Sequence, residues 1–335
     1  MDLALSVDTV AASTSGLTSA LTTGYQALRQ SAAWLDLSGR GRLRITGEDR
    51  ARLLNAMTTN QVQALRPGQG CYAFFLNAQG RILGDANLFC FEDYILLDTE
   101  PETRRKLFEH LDRYIIADDV TIEDITATTA AIAFEGPQAE AVLASLGAEI
   151  PAPESPLVPC SWMSWGTRTV ARVSSTGSNG FCIFTSDEDR PSVLAQLSGV
   201  PQAMPSDART VRIEHGRPRY GEEITERYLV QETGQLQAVN FNKGCYLGQE
   251  IVERVRSRAQ IHRLLERLEI DASEPPAAGT KLTSGEADAA EIASAAYSPA
   301  LGKVVALAYV RVQFSKPGTE LSWVGVPARV SPVSG

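Results

Sequence analysis

One thiol in the chain sits among residues that can change its chemistry. Cys245 lies in FNKGCYLGQEIVERVRSR (Phe241–Arg258), between a Lys-Gly pair and a Gly-Gln-Glu, with Lys243 and Arg254 close in sequence. Glycines at 244 and 248 allow backbone shapes that side chains forbid. A nearby cation lowers a thiol's pKa and raises its thiolate fraction, as a nucleophile or metal ligand needs. The competing reading is a tight turn with a structural cysteine packed under it. A single thiol cannot hold an iron–sulfur cluster alone, because clusters take about four cysteine ligands. Any cluster met here would be shared or transient.

The other four cysteines give no framework. Cys71, Cys90 and Cys182 fall in apolar, strand-like runs and read as buried structural thiols, while Cys160 sits in the Pro-rich link VPCSW and reads as accessible. No CxxC pair occurs and the count of five is odd, which argues against a disulfide scaffold. The three histidines have no spaced partner, so no zinc site and no bound metal is expected.

Two further groups carry possible chemistry. In RIEHGRPRYGEEI (Arg212–Ile224), a helix-like approach ends at Gly216, and Pro218 cannot continue it. Glu214 falls near that helix end. Its carboxylate can accept two hydrogen bonds from an amino-pyrimidine edge such as that of a pterin, giving orientation in a mostly apolar pocket. A surface glutamate paired with Arg212 or Arg217 is the alternative. From Arg254 to Arg267 runs the only dense basic stretch, with Arg254, Arg256, Arg258, Arg263 and Arg267. It reads either as a solvated face or as a dock for a polyanion, RNA phosphate or a polyglutamate tail.

These residues need elements to hold them. The chain has 335 residues, 44% hydrophobic and 21% charged, enough for two or three domains. A strand–glycine–helix pattern in LRITGEDRARLLNAM (Leu43–Met57) returns in AAIAFEGPQAEAVLASLG (Ala130–Gly147). Each is followed by hairpin-like runs and then by a strand and an acidic-capped helix, at Tyr94–Leu111 and Gly180–Leu197. Glycine-bearing turns are expected at Asn77–Gly80 and Thr176–Gly180. The first ~200 residues therefore read as two ferredoxin-like-type α+β units. After the Pro/Ala/Gly-rich DASEPPAAGTKL, short alternating runs predict a small antiparallel β-barrel almost without helix.

Net charge is −9, so nucleic acid or anionic membrane would be met only through a local basic patch. No apolar run approaches the roughly 20 residues that span a bilayer. The N-terminal stretch lacks the basic and apolar regions of a secretory signal and reads as a loosely attached start. A cytoplasmic protein is expected.

Taken together, the motifs resemble a known family. KGCYLGQE (Lys243–Glu250) is similar to the K-G-C-[YF]-x-G-Q-E signature of the YgfZ-type folate-binding proteins, whose mitochondrial relatives act in late iron–sulfur cluster assembly. GRGRLRITGEDRARLLNAMTTNQV, CYAFFLNAQGRILGD, RIEHGRPRYGEEI and ALGKVVALAYV resemble the wider superfamily of the glycine-cleavage T-protein, an aminomethyltransferase that uses tetrahydrofolate.

The resemblance implies an α+β fold of three domains around a central folate cavity. Residues 1–124 and 201–260 would form the first unit, 125–200 the second and 261–335 the barrel. It implies tetrahydrofolate or a derivative as cofactor. Glu214 and Asp85 would line its cavity with Lys243 and Arg254 nearby, and Cys245 and Asp85 would do chemistry. The T-protein carries two adjacent aspartates where this chain reads Gly84-Asp85, and it lacks the KGC segment. The preferred reading is a folate-binding accessory protein that supports assembly or repair of iron–sulfur enzymes, including those that modify tRNA. Its partners would be iron–sulfur client or assembly proteins. The alternatives are a tetrahydrofolate-dependent aminomethyltransferase, and an RNA-binding module touching RNA weakly through Arg254, Arg256 and Arg258.

Overall fold

The computed structural model describes residues 22–148, 150, 160–258 and 261–332. The loosely attached start expected for the first residues lies outside the described residues.

The described residues open on α1 (Thr23–Gln30), β1 (Ala33–Asp36) and β2 (Gly41–Thr46). Then come α2 (Arg50–Met57), β3 (Gly70–Leu76), β4 (Ile82–Cys90), β5 (Tyr94–Thr99), α3 (Arg104–Asp112) and β6 (Thr121–Asp124). The pattern repeats as β7 (Thr129–Glu135), α4 (Ala139–Ser145), β8 (Trp162–Trp165), β9 (Arg168–Ala171), β10 (Gly180–Ser186) and α5 (Arg190–Gln196). The repeat expected from sequence pattern is a repeat of topology. One sheet has the order β3-β4-β5-β2-β6 and the other β8-β9-β10-β7-β1. Strand for strand the order is the same, with one exception in the chain's path. The edge strand of the first sheet follows its second helix, whereas that of the second sheet is β1, supplied from before the first unit and antiparallel to β7.

Periodicity explains both cores. On α2, Leu53, Leu54 and Met57 share one face and are buried with Leu43, Ile45, Ala86 and Leu88 of the sheet beneath. On α4, Leu143 takes the corresponding place over Ile132, Phe134 and Ile183.

Helix α6 (Pro205–Glu214) and α7 (Gln249–Arg258) follow the second unit. Six strands then close a barrel: β11 (Arg263–Ile270), β12 (Lys281–Ser284), β13 (Ala287–Ser298), β14 (Lys303–Arg311), β15 (Glu320–Trp323) and β16 (Val326–Ser331). Closure leaves no free sheet edge. Helix α6 is the hub: Ile213 packs on Ala296, Val305 and Leu307 of the barrel, while Val211 packs with Tyr25 and Leu28 of α1.

The turn between β3 and β4 meets the start of α7 almost without clearance. Gly80 has φ +70°, and a Cβ there would come within 2.8 Å of the Ile251 side chain. Gly248 has φ +84°, and its Cβ would come within 2.7 Å of the Asn77 carbonyl oxygen. Glycine is required at both places for conformation and for space.

Candidate functional site

A cavity of about 520 Å³ opens between the two sheets and is closed on a third side by α6 and the loop after it. Strand alternation decides what faces it. On β4, Ala86 and Leu88 enter the hydrophobic core under α2, so Asp85 and Asn87 face the cavity. The barrel contributes no described lining residue.

Asp85 is buried and accepts a hydrogen bond of 2.6 Å from the Tyr72 hydroxyl on β3. Burial, and then the nearby Glu100 carboxylate, push its carboxyl up to about 6, against the opposing pull of the Tyr72 bond and of Arg40 and Arg217. Burial and the Asp85 charge raise the Tyr72 phenol well above its ordinary value. Gly84, where the resemblance in sequence implies a second aspartate, lies on the other face of the strand. A Cβ there would meet Thr103, the N-cap of α3, and Leu107 of α3 at 3.1 Å. A carboxylate at 84 would therefore point away from the cavity, and its absence removes no acid from it.

The lining holds five arginines, four of which have carboxylate partners. Arg40 pairs with Asp98 and Glu100 of β5 and its end, and Arg219 with Glu100 and Glu102. Arg209 pairs with Glu222, and Arg212 with Glu222 and Glu223. Arg217 lies over the Tyr72 ring, 5.6 Å from its centroid. Glu135, at the end of β7, is fully buried and holds the wall segment 174–176. It accepts from Ser174 Oγ, Ser175 N and Ser175 Oγ at 2.7 Å, from Thr176 N at 2.9 Å and from Thr176 Oγ1.

The remaining residues singled out from sequence lie elsewhere. Glu214 ends α6 as expected, but it is buried in a joint between α1, α6 and the barrel. It accepts from the Tyr25 hydroxyl at 2.6 Å, from Ser298 Oγ at 2.5 Å and from the Arg29 guanidinium. Lys243 is also buried. Its ammonium donates to the carbonyls of Asn55 and Asn60 at 2.6 Å and of Thr58 at 2.9 Å, which pins the KGC loop to the end of α2. Burial pushes that amine down to about 8. Arg254 is exposed on α7 and Cys245 is exposed on its loop; neither lines the cavity. Asp85 is thus the one sequence-selected residue among those lining it.

The basic run divides. Arg263 pairs with Glu232 and the buried Arg267 with Glu269, both on β11, whereas Arg256 on α7 lies over Phe241 and pairs with Glu253. The Arg258 side chain lies outside the described residues.

Among the thiols, Cys245 alone is exposed. Cys160 corrects the reading of an accessible link: it is buried, with φ +64°, and burial pushes its thiol up to about 12. Cys71 is raised to about the same value, also by burial. Alkylation followed by mass spectrometry is expected to label Cys245 at least tenfold faster than any other cysteine, since thiolate fraction and access both govern the rate. Equal rates at Cys245 and Cys160 would contradict the loop geometry.

Sequence reasoning missed Tyr72, Glu135 and Arg217. Tyr72 was legible as the residue two before Phe74 on an alternating strand. Arg217 stood in RIEHGRPRYGEEI but was read only as a possible partner of Glu214.

Residues 12–243 match the model of the GCVT N-terminal domain, and residues 263–332 that of the glycine cleavage T-protein C-terminal barrel domain. The chain belongs to the glycine cleavage T-protein family. Tetrahydrofolate is the cofactor of this family's aminomethyltransferases. Similar proteins include the chloroplastic Arabidopsis thaliana protein At1g60990, 32% identical over 72% of this chain and 57% of that protein. The aminomethyltransferase of Streptomyces coelicolor is 29% identical over 92% of this chain and 85% of its own. The crystal structure of glycine cleavage system aminomethyltransferase T from Bartonella henselae superposes with a TM-score of 0.83 at 22% identity, covering 92% of this chain and 88% of that one. That likeness places the T-protein fold on the chain. Among the described residues, no helix is long and apolar enough to cross a membrane.

Leu35, Leu37, Ala133 and Val173 give the cavity apolar wall, and Asp85 and Arg217 give it polar groups not fully used by the protein.

Proposed function

We propose that this T-protein family member binds a reduced folate in the cavity and displays Cys245 to protein partners, as a YgfZ-type accessory protein for assembly or repair of iron–sulfur enzymes. Enzymes that modify tRNA through such clusters are among the clients in this reading. The observation that carries it is the separation of two features. The folate-sized cavity lies between the sheets, while the exposed thiol stands outside it on a loop pinned by Lys243. A thiol that worked on the bound folate would line the cavity. One that receives or protects a cluster or sulfur from another protein needs an outward face.

The test uses both features. Calorimetry with tetrahydrofolate should show binding to the wild type and undiminished binding to Cys245→Ser. The same variant should fail to restore iron–sulfur enzyme activity in cells lacking the protein. Full complementation by Cys245→Ser would refute the thiol's role, and absence of folate binding by the wild type would refute the cavity's. Glu214→Ala separates two roles of that residue. If Glu214 gives up its donors to meet a pterin edge, affinity drops by about 1.5–3 kcal/mol. If it is only the joint, the thermal midpoint falls and affinity holds.

A second reading, tetrahydrofolate-dependent aminomethyl transfer, is supported by Asp85. It is a cavity carboxylate raised into the range of a useful proton acceptor, and the glycine at 84 subtracts nothing from the cavity. Direct RNA contact rests on the exposure of Arg254 and Arg256 alone.

A further inference from the structure

Among the described residues, the cavity contains one cation that the protein leaves without an anionic partner. Arg40, Arg209, Arg212 and Arg219 each hold a carboxylate at salt-bridge distance. Among the described residues, the guanidinium of Arg217 makes no such pair and donates no hydrogen bond, although it lies half-buried in the cavity wall. Its position is nonetheless defined. The backbone N–H of Arg217 donates to the Arg212 carbonyl at 2.8 Å, and its own carbonyl accepts from Arg212 Nη1 at 3.1 Å. Pro218 stiffens the next peptide, and the guanidinium rests against the Tyr72 ring. It is near enough to Asp85 to draw on that carboxylate's charge.

A planar fork of donors held over an aromatic face, with its hydrogen bonds unspent, is suited to bidentate recognition of a carboxylate. Dispersed carboxylates already line the site, so an arginine added only for charge balance would be expected to pair with one of them. This one instead lines the cavity over Tyr72, near Asp85.

We propose that Arg217 is the carboxylate receptor of the cavity, holding the acid end of a ligand whose amine or other proton-bearing group faces Asp85. The inference rests on the cavity being a ligand site, and it deepens the folate reading by naming the chemistry at one end. Two sources supply that carboxylate: the glutamate tail of the folate itself, or a separate small amino acid bound alongside the pteridine.

Calorimetry on wild type, Arg217→Gln and Arg217→Lys distinguishes them. The probes are tetrahydrofolate, tetrahydropteroyl methylamide (which has neither the glutamate nor a free carboxylate), glycine and methylamine. If the tail is bound, the wild type prefers tetrahydrofolate over tetrahydropteroyl methylamide by roughly tenfold or more. Arg217→Gln then erases that preference and leaves the affinity for the methylamide unchanged. If a separate amino acid is bound, the two pteridines bind alike. Glycine but not methylamine then titrates into the complex with tetrahydropteroyl methylamide, and Arg217→Gln abolishes that titration. Arg217→Lys, which keeps the charge and loses the fork, should fall between.

Glycine is also titrated into the protein without pteridine. Loss of that signal in Arg217→Gln would sustain the receptor even if no pteridine bound, so the two readings fail separately. If Arg217→Gln, with an unchanged thermal midpoint, matches the wild type for every probe, the inference is wrong. It is equally wrong if the wild type binds none of them.

Discussion

Asp85→Asn is expected to make the protein more stable at neutral pH, by about 2–3 kcal/mol. The Asp85 carboxyl is raised from the ordinary 3.8 to about 6 in the fold, chiefly by burial. Each unit of such a shift corresponds to about 1.4 kcal/mol. The sign follows from linkage: a raised carboxyl is harder to ionise in the folded than in the unfolded chain. The penalty is absent below about pH 4, grows between pH 4 and 6, and is fully present above. Asparagine keeps the Tyr72 hydroxyl bonded and removes the penalty. Urea unfolding of both proteins should therefore give superposed curves near pH 4 and an offset at pH 7.5. An offset independent of pH would show that the carboxylate's ionisation is not its source. The same substitution removes the cavity's proton acceptor. If folate-dependent turnover exists, it should fall by about 10²-fold or more in a variant that is more robust than its parent.

Glu135→Ala is expected to act in the opposite sense, with a loss of about 3–5 kcal/mol. The side chain is fully buried and serves as acceptor for two backbone N–H groups and three hydroxyls of residues 174–176. Truncation leaves several of these donors without a partner, at about 1 kcal/mol or more each. Because Ser174 and Ser175 form cavity wall, ligand affinity should fall with stability. Hydrogen exchange should show early opening of the 173–179 segment. Glu135→Gln should lose less, since one acceptor oxygen survives. A thermal midpoint unchanged in Glu135→Ala would mean that the wall is held by other contacts.

The sequence disclosed the frame because the frame is periodic. Alternation on β2 and β7 and the 3.6-residue spacing on α2 and α4 are written locally. So are the turn at Asn77–Gly80 and the glycine that ends α6. Two adjacent α+β units and a barrel follow from such signals. The edge role of β1 was not legible, since nothing in Ala33–Asp36 says that its partner is β7, about 100 residues later. The site was legible in proportion to its dependence on single strands. Asp85 could be placed, because its neighbours on β4 alternate cleanly.

Glu214 and Lys243 could not be placed from sequence, because their partners are spread over α1, α2 and the barrel. Glu214 meets Tyr25 and Ser298 across the fold, and Lys243 meets three carbonyls of residues 55–60. A charged residue in a motif looks equally free to bind a ligand or to hold a joint until its counterparts are located. Arg217 was hidden by the same ambiguity in reverse: it looked like half of a surface pair and, among the described residues, forms no salt bridge.

The close packing of Gly80 against Ile251, and of Gly248 against Leu76 and Asn77, bears on how such a chain can diverge. The turn carrying Gly80 belongs to the hairpin that supplies Asp85, and Gly248 stands three residues after Cys245. Neither position tolerates a side chain without displacing the other segment. Mutational drift in the thiol loop is therefore checked by the shape of the hairpin, and drift in the hairpin by the thiol loop. A lineage that lost the cysteine would still have reason to keep Gly248.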